Sequence, residues 1–201
     1  MKQALLIFVK NPVYGKVKTR LAVTVGNDMA LRIYQNLLKY TYTITGNLSV
    51  NKTVYYSAVI DTGDCWDMGI YEKKIQHGND LGARMGKAFE DSFNQGYNEV
   101  ILIGSDCVEL SEEDIINAYA QLKSYDVVIG PATDGGYYLI GLKNTHTELF
   151  NNIIWSTNTV LSATLNICAA EKMTVYLLPE LSDIDEEKDI KQAYKKLLQL
   201  L

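Results

Sequence analysis

The sequence predicts an α/β fold, a three-layer sandwich in which helices cover both faces of a mostly parallel sheet. Two observations carry this. Short apolar runs alternate with stretches of helical spacing along nearly the whole chain. Two of those runs, Ala4 to Val9 and Val100 to Ile103, are continuously apolar, as strands covered on both faces are. At 201 residues the chain falls in the single-domain range, and 1–201 reads as one domain without an internal repeat, linker or low-complexity segment.

The first strand is Gln3 to Val9, followed by a loop carrying Pro12 and Gly15. Ala30, Ile33, Tyr34, Leu37, Leu38, Thr41 and Ile44 recur at helical spacing, and Gly46 ends that helix. Thr53 to Val59 reads as a second strand and Lys73 to Gln76 as a short third. Asp80 is placed to cap a helix whose inner face is Leu81, Met85, Ala88, Phe89 and Phe93. Gly82 and Gly86, one turn apart on it, leave room for a strand or ligand to approach. Glu99 to Ile103 is the next strand, and Ser111-Glu112-Glu113-Asp114 opens a capped helix to about Lys123. Asp126 to Gly130 and Tyr137 to Leu142 flank a Gly-rich turn, which makes the second of them a candidate antiparallel member. A helix from about Asn158 to Ala170 precedes a strand from Thr174 to Leu178. A last helix carries Ile190, Ala193, Tyr194, Leu197, Leu198 and Leu201 on one stripe.

A net charge of −5 argues against a nucleic-acid or membrane-surface binder, so any anion site must be a local basic patch. No apolar run is long enough to span a bilayer. The stretch Ala4 to Val9 is too short for a signal sequence, and Lys10 follows it at once, so a cytoplasmic location is expected. Cys65, Cys107 and Cys168 are odd in number and lack a C-x-x-C spacing, which fits reduced thiols.

In an open α/β sheet ligands bind beyond the carboxyl ends of the strands, so chemistry is sought in the loops after Val9, Ile103 and Gly130. The first, Lys10 to Leu21, holds four cations in eleven residues: Lys10, Lys16, Lys18 and Arg20. A lysine point charge and an arginine fork suit a di- or triphosphate. A solvated basic run is the alternative; the position and Gly15 favour an anion site. It is not a P-loop, because Lys10 stands where the first Gly belongs and Val17 where Ser or Thr belongs. The second is Gly104-Ser105-Asp106-Cys107, where Asp106 is placed to hold Mg²⁺ or Mn²⁺ against phosphate oxygens or simply to turn the chain. The third is Gly130 to Tyr138, where Asp134 with Gly135 and Gly136 reads as a hairpin turn, a second metal ligand, or both. A fourth segment, Gln76 to Met85, sets Arg84 in the first turn of a helix, an unfavourable end for a cation unless it faces an anion or pairs with Asp80. Cys107 as a nucleophile, a Ser/His/Asp triad and a zinc site are discounted, since only His77 and His146 exist to serve them.

These four segments, in this order, resemble a bacterial family first named as a domain of unknown function, DUF2064. Some of its members are labelled as transferases associated with radical-SAM or arsenosugar gene clusters. The matching pieces are Lys10-x-Pro12-x-x-Gly15-x-x-Lys18-Thr19-Arg20-Leu21, Asp80-Leu81-Gly82-x-Arg84-Met85, Gly104-Ser105-Asp106-Cys107 and Gly130-Pro131-Ala132-x-Asp134-Gly135-Gly136-Tyr137-Tyr138. The closing Asp183-Ile184-Asp185-x-x-x-Asp189 looks like a tail shared with nucleotidyltransferases. Val108 and Asn79 depart from the family pattern, where Pro and Gly are usual. The resemblance covers essentially the whole chain and implies the nucleotide-diphospho-sugar transferase (GT-A) fold.

The resemblance further implies a transferase using a nucleotide or nucleotide-sugar donor and a small-molecule acceptor. Lys18 and Arg20 would hold the phosphates, with Lys10, Gly15, Asp80, Arg84, Gly135 and Gly136 as further contacts. Asp106 and Asp134 would be the catalytic carboxylates and hold the Mg²⁺ or Mn²⁺ cofactor. Glycosyl transfer is the first expectation. Nucleotidyl transfer with release of pyrophosphate is the second, and a non-catalytic nucleotide-binding module is an alternative of another class.

Overall fold

The computed structural model of the protein describes residues 2–190. Its strands are β1 (Gln3–Val9), β2 (Asn51–Tyr56), β3 (Tyr71–Ile75), β4 (Glu99–Ile103), β5 (Val127–Pro131), β6 (Tyr137–Leu142) and β7 (Val175–Leu177). The helices are α1 (Thr19–Val25), α2 (Asn27–Gly46), α3 (Leu81–Asn94), α4 (Glu112–Leu122) and α5 (Val160–Ala170), with a 3₁₀ turn at Thr147–Phe150. The strands form one sheet in the order β3-β2-β1-β4-β6-β5-β7. Only β6 is antiparallel to its neighbours β4 and β5; the other pairs are parallel. The expected mostly parallel α/β sandwich is thus the observed fold, with the antiparallel member at Tyr137–Leu142.

The continuous apolar runs are buried on both faces, as a sheet between two helical layers requires. Leu5, Ile7, Ile101, Ile103 and Val128 point into one core with Tyr34 and Leu38 of α2 and Ile115 of α4. Leu6, Val100, Leu102 and Ile140 point into the other with Met85, Ala88 and Phe89 of α3. The Ser111 capping box of α4 and the Asp80 cap of α3 are both formed. All three cysteines are free thiols, and Cys107 and Cys168 are buried. Among the described residues no helix is long and apolar enough to cross a membrane.

Several boundaries differ from the sequence reading for local reasons. β2 stops at Tyr56, short of the expected Val59, because Asn11 Oδ1 accepts the backbone N–H groups of Ala58 and Val59. The basic loop contains the short helix α1, closed by Gly26 at φ 82°. The last helix has its first turn from Glu187, and Ala193, Tyr194, Leu197, Leu198 and Leu201 lie outside the described residues. Leu81 is exposed, and the buried stripe of α3 begins at Gly82 instead.

What fills the space at Gly82 is the end of the 3₁₀ turn and the segment that follows it. A methyl group there would overlap the Trp155 indole nitrogen and stand 2.5 Å from the Phe150 carbonyl oxygen. Alanine gains about 1 kcal/mol of helix propensity over glycine, but overpacking against backbone costs about 1–3 kcal/mol. Gly82→Ala is therefore expected to lower the melting temperature; a higher one in a thermal melt would refute the close packing.

Candidate functional site

β1 and β4 are neighbours, and the chain proceeds from β1 to one side and from β4 to the other. The crevice beyond Val9 and Ile103 is therefore the switch point at which such sheets take ligands. One phenol ties its two walls together. Tyr34 of α2 is buried; its hydroxyl accepts from Lys10 N at 2.8 Å, donates to Lys10 O at 3.0 Å and lies 3.4 Å from Ser105 Oγ. Burial, with the Asp106 charge adding to it, raises the Tyr34 pKa, so the phenol stays a neutral clamp.

Lys18 stands at the start of α1 in the left-handed region, φ 49° and ψ 43°. This conformation turns its side chain inward, where it is only 3% exposed. The ammonium lies 3.0 Å from Asp185 Oδ1, to which it donates a hydrogen bond, and 3.0 Å from Asp106 Oδ1. The second contact is an ion pair, and the Lys18 ammonium is the partner of this buried oxygen among the described residues. Burial works against the charge on Lys18, but Asp106 and Asp185 outweigh it and its pKa ends above the ordinary value. Asp185 is likewise opposed by burial and overcome by Lys18, so its pKa is lowered. The charges of Arg20 and Lys10, both exposed, add to that lowering.

Asp183 and Asp185 arrive on a strap that crosses the carboxyl edge of the sheet. Leu181 N donates to Pro131 O at 3.1 Å and Thr133 N to Leu181 O at 3.0 Å. Ser182 N donates to Glu109 Oε2 at 2.8 Å, and Ile184 N to Asp106 O at 3.0 Å. Ile184 between the two aspartates is fully buried with Leu21, Leu37 and Val108. Asp183 is driven up to about 7, first by burial and then by the charges of Asp106, Asp134 and Asp185, against the pull of Lys18. The sequence marks these two residues only as part of the Asp183-Ile184-Asp185-x-x-x-Asp189 tail, with no site role; the structure sets Asp185 against Lys18 and Asp183 under the charge of Asp106.

Asp134 makes the turn that its sequence suggests. Its Oδ1 accepts from Gly136 N at 2.8 Å, and its charge reaches the cluster through Asp183. Gly135 has φ 87°, and its missing side chain makes room for the Asn158 backbone, with Asn158 Cα 2.7 Å from where a Cβ would stand. Gly15 has φ 68° and nothing within 4 Å. Asp80 Oδ1 accepts from Ala83 N at 2.8 Å as the cap of α3. Arg84 does not pair with Asp80; its Nε donates to Gly78 O at 3.1 Å. Thus Lys18, Asp106 and Asp185 are in direct contact at the crevice, and the charges of Lys10, Arg20, Asp134 and Asp183 are felt there. Among the described residues no hydrogen bond or ion pair joins Asp80 or Arg84 to them, nor do three His, Cys, Asp or Glu side chains converge as a ready-made metal cage.

The family model described as "Uncharacterized protein conserved in bacteria (DUF2064)" matches residues 43–157. No curated protein matches the chain. Among solved structures, a protein of Desulfovibrio desulfuricans G20 provisionally named a nucleotide-diphospho-sugar transferase is 29% identical, with a TM-score of 0.84 over 100% of this chain and 99% of that one. The 4-diphosphocytidyl-2C-methyl-D-erythritol synthase of Anaerococcus prevotii DSM 20548 is 10% identical, with a TM-score of 0.61 over 98% and 96% of the two chains. The inositol-1-phosphate CTP transferase of T. maritima is 12% identical, with a TM-score of 0.59 over 100% and 96%. These last two share the fold with this chain.

Proposed function

The chain belongs to the bacterial DUF2064 family, and from that premise we propose that it is a metal-dependent transferase whose donor is a nucleoside-diphosphate sugar. The observation that carries this reading is the Lys18 ammonium held between Asp106 and Asp185 at the switch point of the sheet, with Lys10 and Arg20 exposed on the same basic loop. The likeness in fold to a protein named for nucleotide-sugar transfer, and to two enzymes named for cytidylyl chemistry, supports a nucleotide as the ligand.

Asp106 and Asp134 would hold Mg²⁺ or Mn²⁺. The donor set suits such an ion: Asp106 is a carboxylate whose buried Oδ1 already faces a cation, the Lys18 ammonium, and Asp134 spends only Oδ1 on its turn. Mg²⁺ takes one or two protein carboxylates and fills its shell with water and phosphate oxygens, so a three-residue cage is not needed. The ion would neutralise charge on the departing diphosphate. Lys10 and Arg20 lie open at the crevice to bind and orient that diphosphate, and the Tyr34 clamp holds both loops still while an acceptor hydroxyl attacks the sugar carbon. The cytoplasm is the proposed place of action.

The test is a thermal-shift panel of nucleotides and nucleotide sugars with and without Mn²⁺, followed by product analysis, since a ligand that binds the folded state raises the melting temperature. Free nucleoside diphosphate would support sugar transfer. Pyrophosphate would replace it with nucleotidyl transfer, and metal-dependent binding without turnover on any donor would leave a binding module. Arg20→Ala is expected to weaken nucleotide binding by about tenfold or more while leaving the melting temperature nearly unchanged, because an exposed cation contributes little to folding. Unchanged affinity in a nucleotide titration would remove Arg20 from the phosphate site.

A further inference from the structure

Lys18 does not look out at solvent, as a phosphate ligand in a free protein would. Its backbone is held in a conformation that non-glycine residues avoid, and its side chain is buried with the ammonium lodged between Asp106 and Asp185. Four carboxylates, those of Asp106, Asp134, Asp183 and Asp185, act on this one region, and Lys18 is the buried cation among them. A divalent ion bound to Asp106 would sit close to an ammonium that now stands 3.0 Å from the same oxygen. Two cations cannot share that oxygen in a half-buried site without strong repulsion.

We propose that the Lys18 ammonium is the internal counter-ion of the free protein and competes with the divalent cation for Asp106. The donor phosphate resolves the competition, because it gives Lys18 a new anion as the metal takes over the carboxylate. Metal and nucleotide then bind together or hardly at all. The inference rests on the metal reading above and adds to it the reason for the coupling.

The experiment is a calorimetric titration of Mn²⁺ into wild type and Lys18→Met, first alone and then with UDP, CDP or GDP present, with Asp106→Asn as the control for binding elsewhere. Wild type is expected to bind Mn²⁺ weakly alone and much more tightly with nucleotide. Lys18→Met is expected to bind Mn²⁺ alone about tenfold more tightly than wild type, and to gain less from nucleotide than wild type does. Equal or weaker Mn²⁺ binding by Lys18→Met overturns the competition while leaving the metal reading intact. Failure of wild type to bind Mn²⁺ with any nucleotide overturns the metal reading and the competition with it. Should Lys18→Met fail to fold, acetylation of Lys18 in wild type, followed by mass spectrometry, reads the same step. It should be slow in the free protein and faster with saturating Mn²⁺ alone, and a rate that Mn²⁺ does not change overturns the proposal.

Discussion

Asp106→Asn is expected to abolish metal-dependent nucleotide binding and to lower any turnover by about a thousandfold, the scale on which removal of a charge-stabilising group acts. The fold should survive. The backbone carbonyl of Asp106, which accepts from Ile184 N at 3.0 Å, ties it to the strap and is untouched by the substitution. Lys18 keeps Asp185 as its partner, so no buried cation is left unpaired. Asp134→Asn makes the informative contrast. Asparagine can still accept from Gly136 N, so the turn is preserved and only the charge is lost. Thermal shift with and without Mn²⁺, alongside product analysis, checks both. If Asp106→Asn keeps its Mn²⁺-dependent shift, Asp106 is not a metal ligand. If only Asp134→Asn keeps it, the ion rests on Asp106 and Asp134 is a turn residue.

The centre of the sheet was legible because β1 and β4 are buried on both faces, and burial of that kind leaves a continuous apolar run that needs no context to recognise. The antiparallel β6 was legible too, since Asp134-Gly135 between two such runs is a turn signal. The short helix α1 was hidden inside a segment whose charges drew attention to chemistry instead. The site was legible as separate loops but not as an assembly. That Lys18 points inward depends on a left-handed backbone and on two carboxylates, one of them 167 residues away in sequence. That Asp183 and Asp185 reach Asp106 depends on Ile184 finding the pocket between α1, α2 and Val108, and on ladder-like bonds to Pro131 and Thr133. Such contacts are non-local, and neither spacing nor composition encodes them.

Asp183 makes a second large effect expected, on stability and its pH dependence. In the folded protein its carboxyl is raised to about 7 from an ordinary 3.8, chiefly by burial and then by Asp106. A raised acid binds its proton more tightly folded than unfolded, so the folded state holds more protons between these two values. Stability from this group is therefore fully present below about pH 4 and is lost as pH rises through about 7. The full loss is bounded by roughly 4 kcal/mol, at about 1.4 kcal/mol for each pKa unit, and water at the partly open strap will reduce it. Asp185 cannot mimic the effect, because its pKa is lowered and its contribution disappears on the acid side instead. Asp183→Asn removes the charge but keeps the shape. Without metal or nucleotide, it should melt about 3–8 °C above wild type at pH 8, and the difference should shrink towards zero near pH 4. Melting curves of both proteins across that range measure it. A difference that is constant with pH would mean that Asp183 ionises freely, and the crowding of carboxylates around Lys18 would then be weaker than the geometry implies.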